Sequence, residues 1–433
     1  MKFKANDVRE DFLNFFKKNG HMEIENLSLI PQNDPTLLII NSGMAPLKDY
    51  FTGESIPPSK RMCNIQKCVR TIDINSVGDP HHLTFFEMLG NWSIGDYSKK
   101  EAIEFGWRLI KDVFQIDTSK IIVTVFGGDK SLPGISADME SFEIWLNYLP
   151  KDRIILLDAD SNFWGPTSDT GPCGPCTEII FDRGIKNGCG KVDCGPECEC
   201  GRFLEIWNVG VFMQYFMHED GSLTKLPMNC VDAGAGLERF AMILQGVESV
   251  YETDLFIPLI EVLTNKIDIN KNKREIRIIA DHVRASVFML ADGIIPGKTK
   301  REYVLRRIMR RALLYLTILE VDCQLFWDVS QVVIREYSCR YPELKDGEDF
   351  IKNVIFSEIT SFNKVLSKGL RELDRIIKSS TSAVISGDDA FKLQDTLGFP
   401  IDLICEIAGN KGMTVDKERF NFLLEEQRQR SRK

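Results

Sequence analysis

The chain has 433 residues, 43% of them hydrophobic and 27% charged, a length that calls for two or more domains with separate cores. A net charge of −9 argues against a uniformly basic nucleic-acid binder, although it averages away any local patch. No apolar run reaches the roughly 18 residues of a membrane span, and the opening MKFKANDVRE lacks the apolar stretch of a secretory signal, so a cytosolic protein without a membrane partner is expected.

In chain order, residues 7–19 predict an amphipathic helix, because Val8, Phe12, Phe15 and Phe16 recur at helical spacing and Gly20 stops it. Residues 28–60, rich in Pro, Gly, Asn and Ser, predict loops around short strands. LTFFEMLGNWSIGDY, 83–97, predicts a strand and turn, with a helix over about 99–114. Further strands are predicted at 121–126, 153–157, 177–182 and 203–216. Cys173 and Cys176, in DTGPCGPCTE, read as part of a rigid turn. The Cys/Gly-rich insertion 184–201 is too polar to pack as a strand. Residues 228–232 predict a strand, AGAG a turn, and LERFAMILQG a helix ended by Gly246. Helical patterns then dominate (255–316, 324–338 and 346–378), which sets a boundary near 250 between a mixed domain, 1–250, and a helical domain, 251–433. FNFLLEEQRQRSRK ends as an uncapped helix, as expected of a chain that continues.

Two stretches carry chemistry. In CVRTIDINSVGDPHHLTFFEMLGN, 68–91, Arg70 closes one strand and an aromatic-rich strand returns after a polar loop. A guanidinium can grip phosphate bidentately and an aromatic face can stack on a purine, while the plainer reading is a hairpin with a surface Arg. In VDAGAGLERF, 231–240, Asp232 suits a substrate ammonium and Arg239 a phosphate or base. The plainer alternative is a helix cap and a surface ion pair.

Taken in order with SLIPQNDPTLLIINSGM, QKCVR, NFWGPTSDTGPCGPCTEI, EIWN, VFMQY, IADHVRAS, ADGIIP, YVLRRIMRRA and DTLGFPIDL, these stretches resemble the alanyl-tRNA synthetase family of class II aminoacyl-tRNA synthetases, from about residue 8 to 428. The resemblance implies an α+β fold: an antiparallel sheet flanked by helices, then an all-helical tRNA-recognition domain. It implies a ligase that joins L-alanine to ATP, with Mg²⁺, and passes the alanyl group to the 3′ end of tRNA(Ala). The runner-up reading is a non-catalytic tRNA-binding relative that keeps the fold.

Carried over by residue, Arg70 would hold the ATP α-phosphate, and His82 would lie in the ATP site. Phe86 would stack on adenine, and Arg239 would cover its other face or the γ-phosphate. Asp232 would accept the alanine ammonium and Asn208 would help hold the carboxylate. Met44, Met88, Trp164 and Val211 would wall the methyl pocket, with core packing as the alternative for Trp164 and the methionines, and Gly234 would leave room at the floor. Two departures stand out. Val209 and Gly210 separate Asn208 from Val211 where the family has no residue or one, and Ala235 replaces a bulkier residue, which would loosen the pocket edge.

Cys189, Cys194, Cys198 and Cys200 make C-x₄-C-x₃-C-x-C, a spacing able to close a tetrahedral Zn²⁺ site of scaffold type, with a loop of reduced thiols as the alternative. On a helix through 298–311, Arg306, Arg307, Arg310 and Arg311 fall within an arc of about 140°, which predicts a basic stripe for acceptor-stem phosphates, a solvated helix being the alternative. The resemblance implies that the third acceptor-stem base pair is read by an Asn after the proline of ADG-x-x-P and by the Asp of DT-x-GFP. Here Gly297 and Lys298 stand at the first place and Asp395 at the second. The family's editing site needs a His/Cys cluster; the five histidines, His21, His81, His82, His218 and His282, supply none, so no editing activity is expected in this chain.

Overall fold

Helix α1 (Ala5–Lys18) buries Val8, Phe12, Phe15 and Phe16 on one face, as their spacing demands. This computed structural model describes residues 3–431 except 33, 35, 36, 167–169, 381 and 398, with side chains described as far as residue 426. The chain divides into two compact units after Pro258.

The first unit is built on a nine-stranded sheet. Its strands are β1 (Met22–Glu23), β2 (Arg61–Val69), β3 (Phe85–Ile94), β4 (Ile121–Phe126), β5 (Ile154–Leu157), β6 (Phe163–Trp164), β7 (Gly171–Asp182), β8 (Phe203–Met217) and β9 (Leu223–Gly236). Their order is β1-β2-β3-β9-β8-β7-β4-β5, with β6 on β7, and every pair is antiparallel except β1–β2 and β4–β5 at the edges. Short helices α2 (Lys48–Thr52), α3 (Lys99–Arg108), α4 (Met139–Trp145) and α5 (Ala159–Asn162) link the strands, and α6 (Leu237–Gln245) follows β9 directly.

Strand alternation gives the central sheet two unlike faces. Trp207, paired with Ala235, turns toward α1, where its ring meets Phe12 and Phe16. The other face carries Met88, Gly90 and Trp92 of β3 beside Gly236, Gly234 and Asp232 of β9, pair by pair.

Three expectations are corrected. AGAG is the end of β9, because pairing to β3 on one side and β8 on the other overrides the weak strand preference of Gly and Ala. The GPCGPC segment is likewise strand, the start of β7, with both cysteines buried and a register shift between Cys173 and Cys176. Among the described residues of 28–60 no strand forms; a 3₁₀ turn (Ala45–Leu47) and α2 occur instead.

The second unit is helical. After α7 (Ile257–Thr264) come α8 (Lys273–Ala291), α9 (Lys300–Ile318), α10 (Gln324–Tyr337), α11 (Glu343–Asp346), the long α12 (Glu348–Ser379), α13 (Gly387–Leu397), α14 (Ile401–Asn410) and α15 (Lys417–Ser431). A two-residue parallel pair, β10 (Val384–Ile385) with β11 (Thr414–Val415), joins the loops before α13 and α15. Among the described residues no helix is long and apolar enough to cross a membrane.

Candidate active site

Arg70 follows β2, and its backbone N–H donates to the Thr84 carbonyl, which holds the hairpin mouth together. Its Nε donates to the Asn41 carbonyl at 3.3 Å, and its guanidinium lies 5.0 Å from the Phe86 ring centroid. The stacked guanidinium therefore keeps a fixed plane with other N–H groups left to bind an anion. Across the sheet, Arg239 on α6 donates to the Glu205 carbonyl (2.8 Å) and pairs with the Glu205 carboxylate (3.1 Å). Arg70, His82, Phe86 and Arg239 line one cleft of ≈ 70 Å³, and Met88 and Gly234 also reach it. The four residues expected around ATP are thus together.

The loop entering β3 is tied by Asp79. Its carboxylate accepts from the His81 and His82 N–H groups, and His82 Nδ1 lies 2.5 Å from Asp79 Oδ2. Burial alone would raise the Asp79 carboxyl, but these bonds bring it below the usual carboxylate range. The same contact raises His82, whereas burial lowers His81 to about 4. Both rings line the cleft, and of the two His82 is the one held toward its charged form, beside the Asp79 carboxylate.

Asp232 does not line that cleft. It is buried, and its Oδ1 accepts from Trp92 Nε1 at 2.7 Å. Burial pushes its carboxyl up to about 7, against the smaller opposing effect of the Trp92 bond. Met44, Trp92 and Val211 belong to the apolar cluster on this side, with Trp164 packed against it. Met88 belongs to the neighbouring cluster, beside Phe86. Gly234 joins the two regions: a Cβ there would lie 2.8 Å from Met88 Sδ, so only glycine lets the thioether rest against the strand. Trp92 makes the same demand on Gly90, where a Cβ would lie 2.4 Å from the indole.

Of the two residues between Asn208 and Val211, one is absorbed as a bulge and the other continues the strand. Asn208 pairs with Gly234 and Val211 with Asp232, so three steps on β8 match two on β9. Asn208 and Val211 thereby stay level with Gly234 and Asp232 despite the longer segment. Ala235 alternates to the other face, against Leu89 and Trp207, so its small size does not open the pocket edge as expected. Glu205 was a candidate Mg²⁺ ligand from the sequence, whereas sequence reasoning missed Trp92 and Glu178. Asn208 Nδ2 donates to Glu178 Oε1 at 3.3 Å, and burial, then the Glu205 charge, raises Glu178 well above its ordinary value. Glu178 pairs with Asn208 and Glu205 with Ile180 across an irregular register, so the sequence alone carried no signal that the two acids would meet.

The insertion cysteines also converge. The thiols of Cys189, Cys194, Cys198 and Cys200 all lie within 4.8 Å of one another. Cys189–Cys198 and Cys194–Cys200 are 3.6 and 3.7 Å apart, close to the ~3.8 Å between sulfurs of a tetrahedral Zn–S₄ centre.

In the helical unit the expected basic stripe on α9 is not an open surface. Arg310 pairs with Glu358 at 2.6 Å and Arg311 with Glu406 at 3.0 Å, both arginines buried. Arg306 reaches Glu358 (3.6 Å) and Arg307 reaches Asp402 (3.3 Å). Acids from α12 and α14 meet these cations, which makes Arg310 and Arg311 internal ties of the helical core and leaves Arg306 and Arg307 half-buried at its edge. Lys298, before α9, and Asp395, on α13, are exposed.

A model of the class II (A) tRNA synthetases matches residues 7–433. The chain belongs to that family. The class II synthetase is 43% identical over 436 residues to a protein named alanine–tRNA ligase from Dehalococcoides mccartyi, covering 99% of this chain and 49% of that one. It is 42% identical over 442 residues to the alanine–tRNA ligase of Clostridioides difficile, covering 100% and 49%. The chain thus spans about half the length of the curated relatives it matches. A solved pyrrolysyl-tRNA synthetase from Desulfitobacterium hafniense overlaps 58% of this chain and 72% of its own, at a TM-score of 0.32 and 14% identity, too distant to inform the site.

Proposed function

We propose that this class II synthetase activates L-alanine with ATP and transfers it to the 3′ end of tRNA(Ala), with adenylation in residues 1–250 and acceptor-stem recognition in 251–433. The observation that carries the reading is the convergence of Arg70, His82, Phe86 and Arg239 on a cleft whose Gly234 is two residues from the buried Asp232.

In this reading the alanine carboxylate attacks the α-phosphorus and pyrophosphate leaves. Arg70 holds the α-phosphate, Phe86 and Arg239 enclose the adenine, and His82, held by Asp79, lies beside them in the ATP site. Asp232 takes the ammonium, and Asn208 steadies the carboxylate. Met44, Met88, Trp164 and Val211 limit the side chain to about a methyl group. No protein nucleophile is required; positioning and preset positive charge supply the catalysis. Glu178 and Glu205 fit a Mg²⁺ ion by donor chemistry: both offer carboxylate oxygens, and a cation would offset the burial and the Glu205 charge that raise Glu178. Bound there with ATP, Mg²⁺ would neutralise phosphate charge. The four insertion cysteines fit a structural Zn²⁺ and leave no open position for chemistry.

The deciding measurement is alanine-dependent ATP–pyrophosphate exchange, repeated with Gly and Ser because one small group is worth only about 1–3 kcal/mol of discrimination. Exchange with alanine is expected, followed by charging of tRNA(Ala). No exchange with any of the three would leave the non-catalytic RNA-binding reading.

A further inference from the structure

Helix α12 carries Lys364, Lys368, Arg371, Arg375 and Lys378, separated by 4, 3, 4 and 3 residues. At about 100° per residue these five fall within an arc of about 80° and extend over about 21 Å of helix axis. All five are exposed. The opposite side of the same helix, Phe362, Leu366, Leu373 and Ile376, is buried in the helical core.

The stripe is not neutralised as the α9 arginines are. Lys364 and Lys368 make no hydrogen bond or ion pair among the described residues, and Arg371 donates Nε only to the Ser367 carbonyl of its own helix. Arg375 pairs with Glu372 and Lys378 with Asp374, so the charge is strongest toward Lys364. Lys392 on α13 adds a sixth cation. With Lys368, Arg371 and Arg375 it lines a groove of ≈ 460 Å³, in which Glu372 and Asp389 are the acids. Asp395 lies one turn further along α13.

Cations at an axial spacing of about 4.5–6 Å suit successive phosphates of a nucleic-acid strand. The surrounding surface favours the same partner. The previous turns of this face present Ser357, Thr360 and Ser361, hydroxyls that can also bond phosphate oxygens. Ile376, Leu393 and Leu397 line the bottom of the groove, but the exposed large apolar residue of α12, Phe350, is two turns beyond Ser357, so the outer face of the stripe is polar and cationic throughout.

We propose that the α12 stripe, with Lys392, is the surface on which the helical unit holds the sugar–phosphate backbone of its RNA. The proposal rests on the tRNA-charging reading above, and it moves the phosphate contacts from α9 to α12.

The test is a triple variant, Lys364→Gln, Lys368→Gln and Arg371→Gln, in the full chain. Binding of a tRNA(Ala) transcript is measured as a function of salt, alongside pyrophosphate exchange and charging. Each lost phosphate contact removes about 0.7–0.9 from the slope of log affinity against log salt. The expected result is a slope smaller by about 2–3, a tRNA KM at least tenfold higher, kcat within twofold, and unchanged exchange. Lys271→Gln, an exposed cation elsewhere in the unit, should change none of these. If the triple variant fails to fold, each single Gln variant should still lower the slope by about one contact. An unchanged slope and KM would overturn the stripe even where the parent chain exchanges and charges normally. Absence of exchange in the parent chain would instead count against the catalytic reading, and transcript binding would still decide the stripe.

Discussion

Trp92 donates its indole N–H to the carboxylate of Asp232 at 2.7 Å, across the β3–β9 pair, inside an apolar cluster. An acid expected to meet an ammonium is thus held in place by one neutral hydrogen bond. Burial is the dominant influence on it and pushes the carboxyl up to about 7. In the empty pocket the charge is therefore costly, and a substrate ammonium removes that cost on binding.

The first prediction concerns activity at this acid. In the proposed role of Asp232 alanine binding needs the ionised carboxylate, so the alanine KM in pyrophosphate exchange should fall about tenfold per pH unit as pH rises toward 7 and level off above it. Asp232→Asn should abolish exchange at every pH.

The same group sets a stability difference of known sign. Its folded value of about 7 lies above the ordinary 3.8, so between these values the folded state holds a proton that the unfolded state has released. Stability from this group falls as pH rises from about 4 to 7, and by pH 8 the cost approaches about 4 kcal/mol. Asp232→Asn should therefore raise stability by about 2–4 kcal/mol at pH 8 and by almost nothing at pH 4, as denaturant titrations would reveal. A destabilised variant at pH 8 would contradict the account.

Gly234→Ala would push its Cβ against Met88 Sδ, the far end of a flexible side chain. The fold should survive with a loss of about 1–3 kcal/mol. Because Met88 reaches both the cleft and the strand, the alanine KM should rise at least tenfold. A variant with an unchanged KM would place the methyl pocket elsewhere.

Purified protein is expected to carry about one zinc per chain, lost in Cys189→Ser or Cys198→Ser. Cys198 also lines a wider cavity of ≈ 530 Å³ shared with Glu178, Glu205 and Arg239. Metal removal should therefore lower exchange in part and open 184–201 to protease. Metal content far below one per chain would favour reduced thiols.

Glu358→Ala should destabilise the helical unit by about 3–5 kcal/mol, because it leaves Arg310 buried without its partner. Exchange should be unaffected. Thermal unfolding of the variant compared with the parent chain checks both.

Much of the sheet was legible because its strands alternate or run apolar, as from Phe85 to Ile94. What could not be read was pairing. Ala233 to Gly236 have turn composition and become strand only because β3 and β8 flank them. The α9 helix showed its four arginines on one arc, but Glu358, Asp402 and Glu406, which meet them, lie 48 to 95 residues away. Conversely, the 4-3-4-3 spacing on α12 is present in the sequence, but spacing alone does not separate an exposed stripe from the denser, paired arginines of α9. Arg70, Phe86, Met88 and Asp232 could be named from motifs, whereas the burial that sets Asp232 apart required the neighbouring cluster.

On its own face of β9 Asp232 is followed by Gly234 and Gly236, so the strand adds no side chain to the floor beneath the proposed substrate, and Met88 rests directly on it. Such a floor cannot be lowered by any substitution. A variant enzyme that accepts a larger amino acid would have to be sought by trimming Val211 or Met88, and changes at the floor itself could only narrow the choice of substrate.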